Sequence, residues 1–272
     1  MNAPIQSGQL RVAEIRARRS NARIGSRIEF VESTTSTNDF AKKLLAEAPS
    51  DGLVVLADYQ SAGRGRHHRP WRSPRGASVL CSVALVESSP VWDGGQLALL
   101  VGIAACDAIR RATDVTPTIK WPNDLMVRGR KLGGILVEKD SRSDGTVFII
   151  GVGINCLQQA AHLEDDLGDR ATSLEIESRQ AIDRTEIAIA LLSELERRVG
   201  DSDFRSIDAL RAAWLDRAHP IGRRVILRHA GKTFQGTIID VDPGAALIVQ
   251  LDAGGVRAFN AASTTLLDYA AE

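Results

Sequence analysis

Arg64, Arg66, Arg69, Arg72 and Arg75 lie within residues 60–76, and no acidic residue stands among them. Gly63, Gly65, Pro70, Pro74 and Gly76 deny the stretch a regular helix or strand, so it reads as a long loop. Planar guanidinium groups at these spacings suit bidentate recognition of carboxylate or phosphate. The charge alone also fits a solvated surface loop; Trp71 and two apolar flanks favour a lid over an anion. A second candidate is Lys131, at the head of a strand otherwise built of apolar residues and glycine up to Glu138. A cation there is partly desolvated unless a negative ligand meets it, although a surface lysine beside a turn has the same pattern. A third is the run Ser33-Thr34-Thr35-Ser36-Thr37-Asn38-Asp39, which opens a helix. Capping uses one such side chain and leaves the others for a polar ligand. Gly151 and Gly153 alternate in a strand, a mark of close approach by a backbone or a ligand.

Several chemistries are excluded. Neither Gly63-x-Gly65 nor Gly151-x-Gly153 completes a dinucleotide fingerprint, because His68 and Cys156 hold the third glycine position. No Walker pattern occurs, and the adjacent His67 and His68 are poor geometry for one zinc ion. Formal net charge is zero, which argues against a surface that grips nucleic acid throughout. The 44% apolar content supports a sizeable core and argues against global disorder. Cys81, Cys106 and Cys156 sit among apolar or small residues and read as reduced core thiols of a cytoplasmic protein. No signal peptide and no membrane-spanning stretch is expected.

The elements that must position these residues follow from periodicity and turn chemistry. Residues 1–27 form a basic arm with a short helix; packing of that helix is preferred over a nucleic-acid arm. Strands are expected at Ile28–Glu32, Leu53–Ala57, Ser78–Val86 and Val147–Asn155, the last preceded by an Asp144-Gly145 turn. Thr118–Arg128, the Gly129-Arg130 turn and Lys131–Glu138 read as one hairpin. Helices are expected from Phe40 to about Pro49, and over Asp93–Arg111, Glu186–Val199 and Phe204–Ala218; Leu157–Arg170 reads as a loop. After Pro220 the chain becomes short strands at 224–228, 233–240, 245–251 and 256–260, punctuated by Gly231, Asp242-Pro243-Gly244 and Gly254-Gly255. That texture suggests a small β-barrel and a boundary near Pro220.

In this order, the stretches Ser36-Thr37-Asn38, Gln60–Arg66 with Arg69 and Trp71, Lys120-Trp121-Pro122-Asn123-Asp124, Lys131–Glu138 and Gly151–Asn155 make the chain resemble the biotin protein ligases. It is similar to the monofunctional members, which lack a helix-turn-helix domain. The resemblance implies an α+β fold: a mixed-sheet catalytic domain over residues 28–220, preceded by the arm 1–27 and followed by an SH3-like domain over 221–272. It implies ATP and Mg2+ as cofactors, biotin as substrate, and a biotin carboxyl carrier protein as partner. No membrane or DNA partner is expected, and the protein should be a monomer or weak homodimer.

The resemblance also implies roles. Lys131, Arg66 and Asp124 would be catalytic, with Asp124 also near the metal of MgATP. Ser36, Thr37, Asn38, Gln60, Arg64, Gly65, Arg66, Lys131, Gly151 and Gly153 would bind biotin. Arg66, Arg69, Trp71, Asn123 and Asn155 would bind ATP. Two departures stand out: the family has glycine where this chain has His68, and often arginine where it has Leu267. The rivals are a lipoate–protein ligase, which shares fold and chemistry, and a non-catalytic nucleic-acid binder.

Overall fold

The computed structural model describes residues 8–88, 92–142, 145–163, 170–201, 206–242 and 246–269. Asp144, positions 164–169 of the expected loop, the Phe204 helix start, the Pro243-Gly244 turn and residues 1–7 of the arm lie outside them. The first sheet holds β1 (Ile28–Val31), β2 (Val54–Ala57), β3 (Ser78–Glu87), β4 (Thr118–Lys120), β5 (Asp124–Val127), β6 (Arg130–Arg142) and β7 (Gly145–Asn155). Its order is β1-β2-β3-β7-β6-β5-β4. β1 and β2 pair parallel and the other neighbours antiparallel, so the sheet is mixed.

Strand periodicity separates the two faces. In β7, Phe148, Ile150, Val152 and Ile154 enter the main core. Val147 and Ile149 face the other way, onto Ala41 and Leu45 of α2 (Thr37–Glu47). Gly151, Gly153 and Asn155 continue on that second face. The main core is covered by α3 (Gly94–Ala112) and α5 (Arg184–Gly200). Asp93 and Gln96 form a reciprocal capping box that starts α3. α3 buries residues on nearly every side, including Leu97, Leu100, Ile103 and Ile109. Truncating one of these leucines or isoleucines to alanine would cost about 2–5 kcal/mol.

The basic arm is a packing element. Ile15 of α1 (Val12–Arg18) is fully buried. Arg11, Arg18 and Arg19 pair with Asp183, Glu186 and Glu196 at 2.9, 2.8 and 3.0 Å. The expected single hairpin over 118–138 is a three-stranded meander instead. Trp121-Pro122-Asn123, with a cis Trp121–Pro122 bond, turns the chain between β4 and β5. A short helix, α4 (Leu174–Glu177), capped by Ser173, was not foreseen.

α6 (Ile207–Ala218) leads to a second, five-stranded antiparallel sheet: β8 (Arg224–His229), β9 (Lys232–Val241), β10 (Ala246–Leu251), β11 (Val256–Asn260) and β12 (Thr264–Tyr269), in the order β11-β10-β9-β8-β12. Its last strand was not among the expected ones; Asn260 caps the short turn that leads into it. Among the described residues no pairing closes β11 onto β12. No helix among them is long and apolar enough to cross a membrane.

Candidate active site

The face of the first sheet that α2 leaves uncovered forms the floor of a cleft of about 1050 Å³. Every residue to which the resemblance gives a role lines it, from Ser36 on α2 to Asn155 at the end of β7; Arg75 and Ser33, Thr34, Thr35 and Asp39 of the polar run do not. The arginine-rich loop is its roof, and Thr265, Leu266 and Leu267 of β12 close one side.

Lys131 reaches the cleft because β6 carries a bulge. Leu125 pairs with Gly133, but the next residue, Met126, pairs with Lys131, so Leu132 is the extra residue. The bulge turns Leu132 into the core, fully buried, and leaves Lys131 and Gly134 on the cleft face. The Lys131 Nζ donates to Asp124 Oδ1 at 2.6 Å and lies 5.8 Å from the Trp71 ring centroid. Asn123 holds the adjoining turn, its Nδ2 donating to the Ile135 carbonyl at 2.8 Å.

At the other end, Ser36 is the N-cap of α2 but makes no side-chain cap bond, which leaves its hydroxyl on the cleft. Gln60 Oε1 accepts from Thr37 N and Oγ1 at 2.7 and 3.0 Å. The Ser82 hydroxyl lies 2.7 Å from Thr37 Oγ1 and 2.6 Å from Asn38 Oδ1. Asn38 Nδ2 donates to Glu138 at 2.7 Å. Ser82 escaped the sequence reading, and Asp39 and Glu138 lie in stretches it named but were given no role of their own. The available signal for Glu138 was a carboxylate closing an otherwise apolar strand.

The roof corrects the expected picture of uncompensated arginines. Arg64 donates to Asp39 at 2.6 Å and to Glu138 at 3.1 Å, so it anchors the loop to α2 and β6. Hydrogen bonding to Arg64 holds the Asp39 carboxyl below its usual range. Burial pushes Glu138 up, but bonds from Asn38 and Arg64 outweigh it and leave it low. Arg75 donates to the Glu32 carbonyl and stacks on Tyr59. Gly65 N to Arg69 O and Trp71 N to Gly63 O, both 2.8 Å, fold the loop into a narrow hairpin. His67 and His68 take left-handed φ of 54° and 57°, so His68 adopts the conformation that the family's glycine favours. Arg69 is exposed at the rim.

Arg66 points across the cleft. Its Nη1 is 3.4 Å from Asn123 Oδ1, and its Nη2 donates to the carbonyls of Ala261, in the turn before β12, and of Thr264, which opens β12. Burial pulls its pKa down, opposed by Asp124. Leu267 indeed brings no charge to the cleft. β12 and the turn before it instead contribute carbonyl oxygens that seat a cation of the first domain.

The two alternating glycines also differ from expectation. A Cβ at Gly153 would stand 2.7 Å from the Trp71 indole, and one at Gly151 2.6 Å from Asn38 Oδ1. They make room for side chains of the protein itself. Asn155 is buried, with Nδ2 on the Thr172 carbonyl and Oδ1 accepting from Gln158. The Thr172 amide donates to the Lys131 carbonyl at 2.9 Å, so one strap ties the Asn155 and Lys131 strands together.

An inward lysine held by a carboxylate, beneath an arginine loop and beside an amide-lined pocket, can bring two anions together and stabilise charge between them. The fold as a whole is similar to that of the biotin protein ligase of Aquifex aeolicus, solved in complex with biotin and ATP: TM-score 0.73, 22% identity, covering 88% of this chain and 98% of that one. The fold is therefore that of the biotin protein ligases. The model of the biotin/lipoate A/B protein ligase family matches residues 30–155. The biotin–[acetyl-CoA-carboxylase] ligase of Mycobacterium tuberculosis is 36% identical over 235 residues, 84% of each chain. The bifunctional ligase/repressor BirA of Bacillus spizizenii is 32% identical over 255 residues, 93% of this chain and 78% of that protein. The chain belongs to the biotin/lipoate A/B protein ligase family.

Proposed function

We propose that this protein is an ATP-dependent biotin protein ligase. Biotin's carboxylate attacks the α-phosphorus of ATP, pyrophosphate leaves, and biotinyl-5′-AMP forms. The ε-amine of a lysine on a biotin carboxyl carrier protein then attacks the acyl carbon, and AMP leaves. The observation that carries the reading is the Lys131–Asp124 pair on the cleft floor, with Arg66 reaching over from the roof. Two anions repel unless fixed cations meet them, and ATP supplies the activation, so no covalent enzyme intermediate is needed.

In this reading Lys131 contacts the biotin carboxylate and the charge developing at the α-phosphate, and Asp124 aims it. Arg66, seated by Asn123 and the carbonyls of Ala261 and Thr264, contacts carboxylate and phosphates. Ser36, Thr37, Asn38 and Gln60 present donors and acceptors to the ureido ring. Arg69, Trp71 and Asn155 serve the nucleotide. Arg64 acts by holding the roof. Mg2+ enters with ATP: among the described residues no three His, Cys, Asp or Glu side chains gather as a metal site. Phosphate-bound magnesium needs only one or two carboxylates, and Asp124 is the candidate.

The domain division that accompanies this reading is 1–27, 28–220 and 221–272. The paired arginines of α1 support a protein without a DNA partner. The buried free cysteines support a cytoplasmic location, and a monomer or weak homodimer is proposed. Mass spectrometry of the product formed from biotin and ATP tests the whole. Formation of biotinyl-AMP and a carrier domain heavier by one biotin is expected; turnover with lipoate and none with biotin would overturn it.

A further inference from the structure

We propose that Gln158 is a positioning residue that locks the Asn155 amide in one orientation and thereby restricts the cleft to adenine nucleotides. This rests on the reading of Asn155 as a residue that meets the base. Gln158 follows β7, is 1% exposed, and belongs to none of the motifs that mark the site in the sequence.

The lock follows from donors and acceptors. Asn155 Nδ2 lies 3.0 Å from the Thr172 carbonyl, which can only accept. The nitrogen must therefore face Thr172 and the oxygen must face Gln158. Gln158 answers with Nε2, 3.0 Å from Asn155 Oδ1; reversed, it would set oxygen against oxygen. This orientation leaves Gln158 Oε1 buried without a donor. Reversal would offer that oxygen the hydroxyls of Ser78 and Ser73, which lie 2.7 and 3.2 Å from Nε2. The fold thus keeps an orphaned acceptor, normally unfavourable, and retains the bond to Asn155.

An asparagine amide reads a purine with one donor and one acceptor. Adenine presents an amine at N6, whereas guanine presents an oxygen at the same place. An amide free to turn over can serve either base. One held at both ends serves one, and Asn155 keeps a second hydrogen on Nδ2 and a second lone pair on Oδ1 for it.

The test compares kcat/KM for pyrophosphate release from ATP and from GTP, with biotin, in the wild type, Gln158→Met and Ser173→Ala. The Ser173 hydroxyl donates to the backbone carbonyl of Gln158 at 2.6 Å. Ser173→Ala therefore loosens the same segment without touching the amide. The preference for ATP over GTP is expected to fall about tenfold in Gln158→Met, within what one bidentate base contact supplies. It should hold in Ser173→Ala, and biotin affinity should hold in both. An unchanged preference in Gln158→Met, or an equal fall in Ser173→Ala, overturns the inference while leaving the ligase reading intact. If Gln158→Met does not fold, Gln158→Asn, which withdraws the amide by one methylene, carries the same comparison. A wild type inert to biotin and ATP would overturn the ligase reading and this inference with it.

Discussion

The Asp124 carboxylate meets the Lys131 ammonium at 2.6 Å across neighbouring strands, and the meeting depends on the bulge at Leu132. Both side chains are about 30% exposed, at 28% and 30%. At that exposure an ion pair contributes only about 0–1 kcal/mol to stability. Its importance should therefore appear in rate.

Lys131→Ala is expected to slow biotinyl-adenylate formation more than a hundredfold, since charge aimed at a transition state is worth about 3 kcal/mol. Its Tm should stay close to wild type. A normal rate with a depressed Tm would make Lys131 a structural residue.

Arg64 should behave as an anchor with a defined pH response. Asp39 and Glu138 lie below their ordinary values of 3.8 and 4.5. Carboxyls held lower in the folded chain stabilise it above those ordinary values and lose that contribution as pH falls through the folded ones. The roof should therefore loosen only below about pH 4. In Arg64→Ala both carboxyls should titrate higher; NMR titration showing either unmoved would remove Arg64 from the anchor.

Gly153→Ala and Gly134→Ala form a matched pair. The Cβ of the first would stand 2.7 Å from the Trp71 ring, that of the second 3.4 Å. Gly153→Ala is expected to displace the indole, shift its fluorescence and weaken ATP binding several-fold, with Gly134→Ala close to wild type. Identical spectra for both variants would mean that Trp71 does not rest on Gly153 in solution.

The roof should tighten over the adenylate and shield the anhydride from water. In hydrogen exchange, the amides of Gly65 and Trp71 are bonded within the loop and should be protected throughout. Those of Arg66, His67 and His68 should slow only when biotin and ATP are added. Arg66→Ala should weaken binding and release adenylate before transfer. Equal protection of the three amides in both conditions would define the roof as a preformed wall.

Much of this was legible in the chain. The order of the motifs, the loop character of 60–76 and most helices and strands follow from local residue chemistry: glycine and proline, apolar periodicity, and caps such as Asp93. The loop arginines and Lys131 could be named because those side chains are unusual in their segments, and the roles of the other candidates came from the resemblance carried by the ordered motifs. Their mutual geometry was not legible. Strict alternation puts Lys131 on the same face as Ile135, which is in the core; only the bulge, a matter of pairing with β5, turns it outward. Nor could the sequence show that Asp39 and Glu138, 25 and 74 residues away from Arg64, compensate it. Arg66 finds its carbonyl acceptors 195 and 198 residues away. Local sequence determines which elements form, because backbone preferences act over a few residues. Register, ion pairing and burial join residues distant in the chain, and the tertiary structure alone decided them.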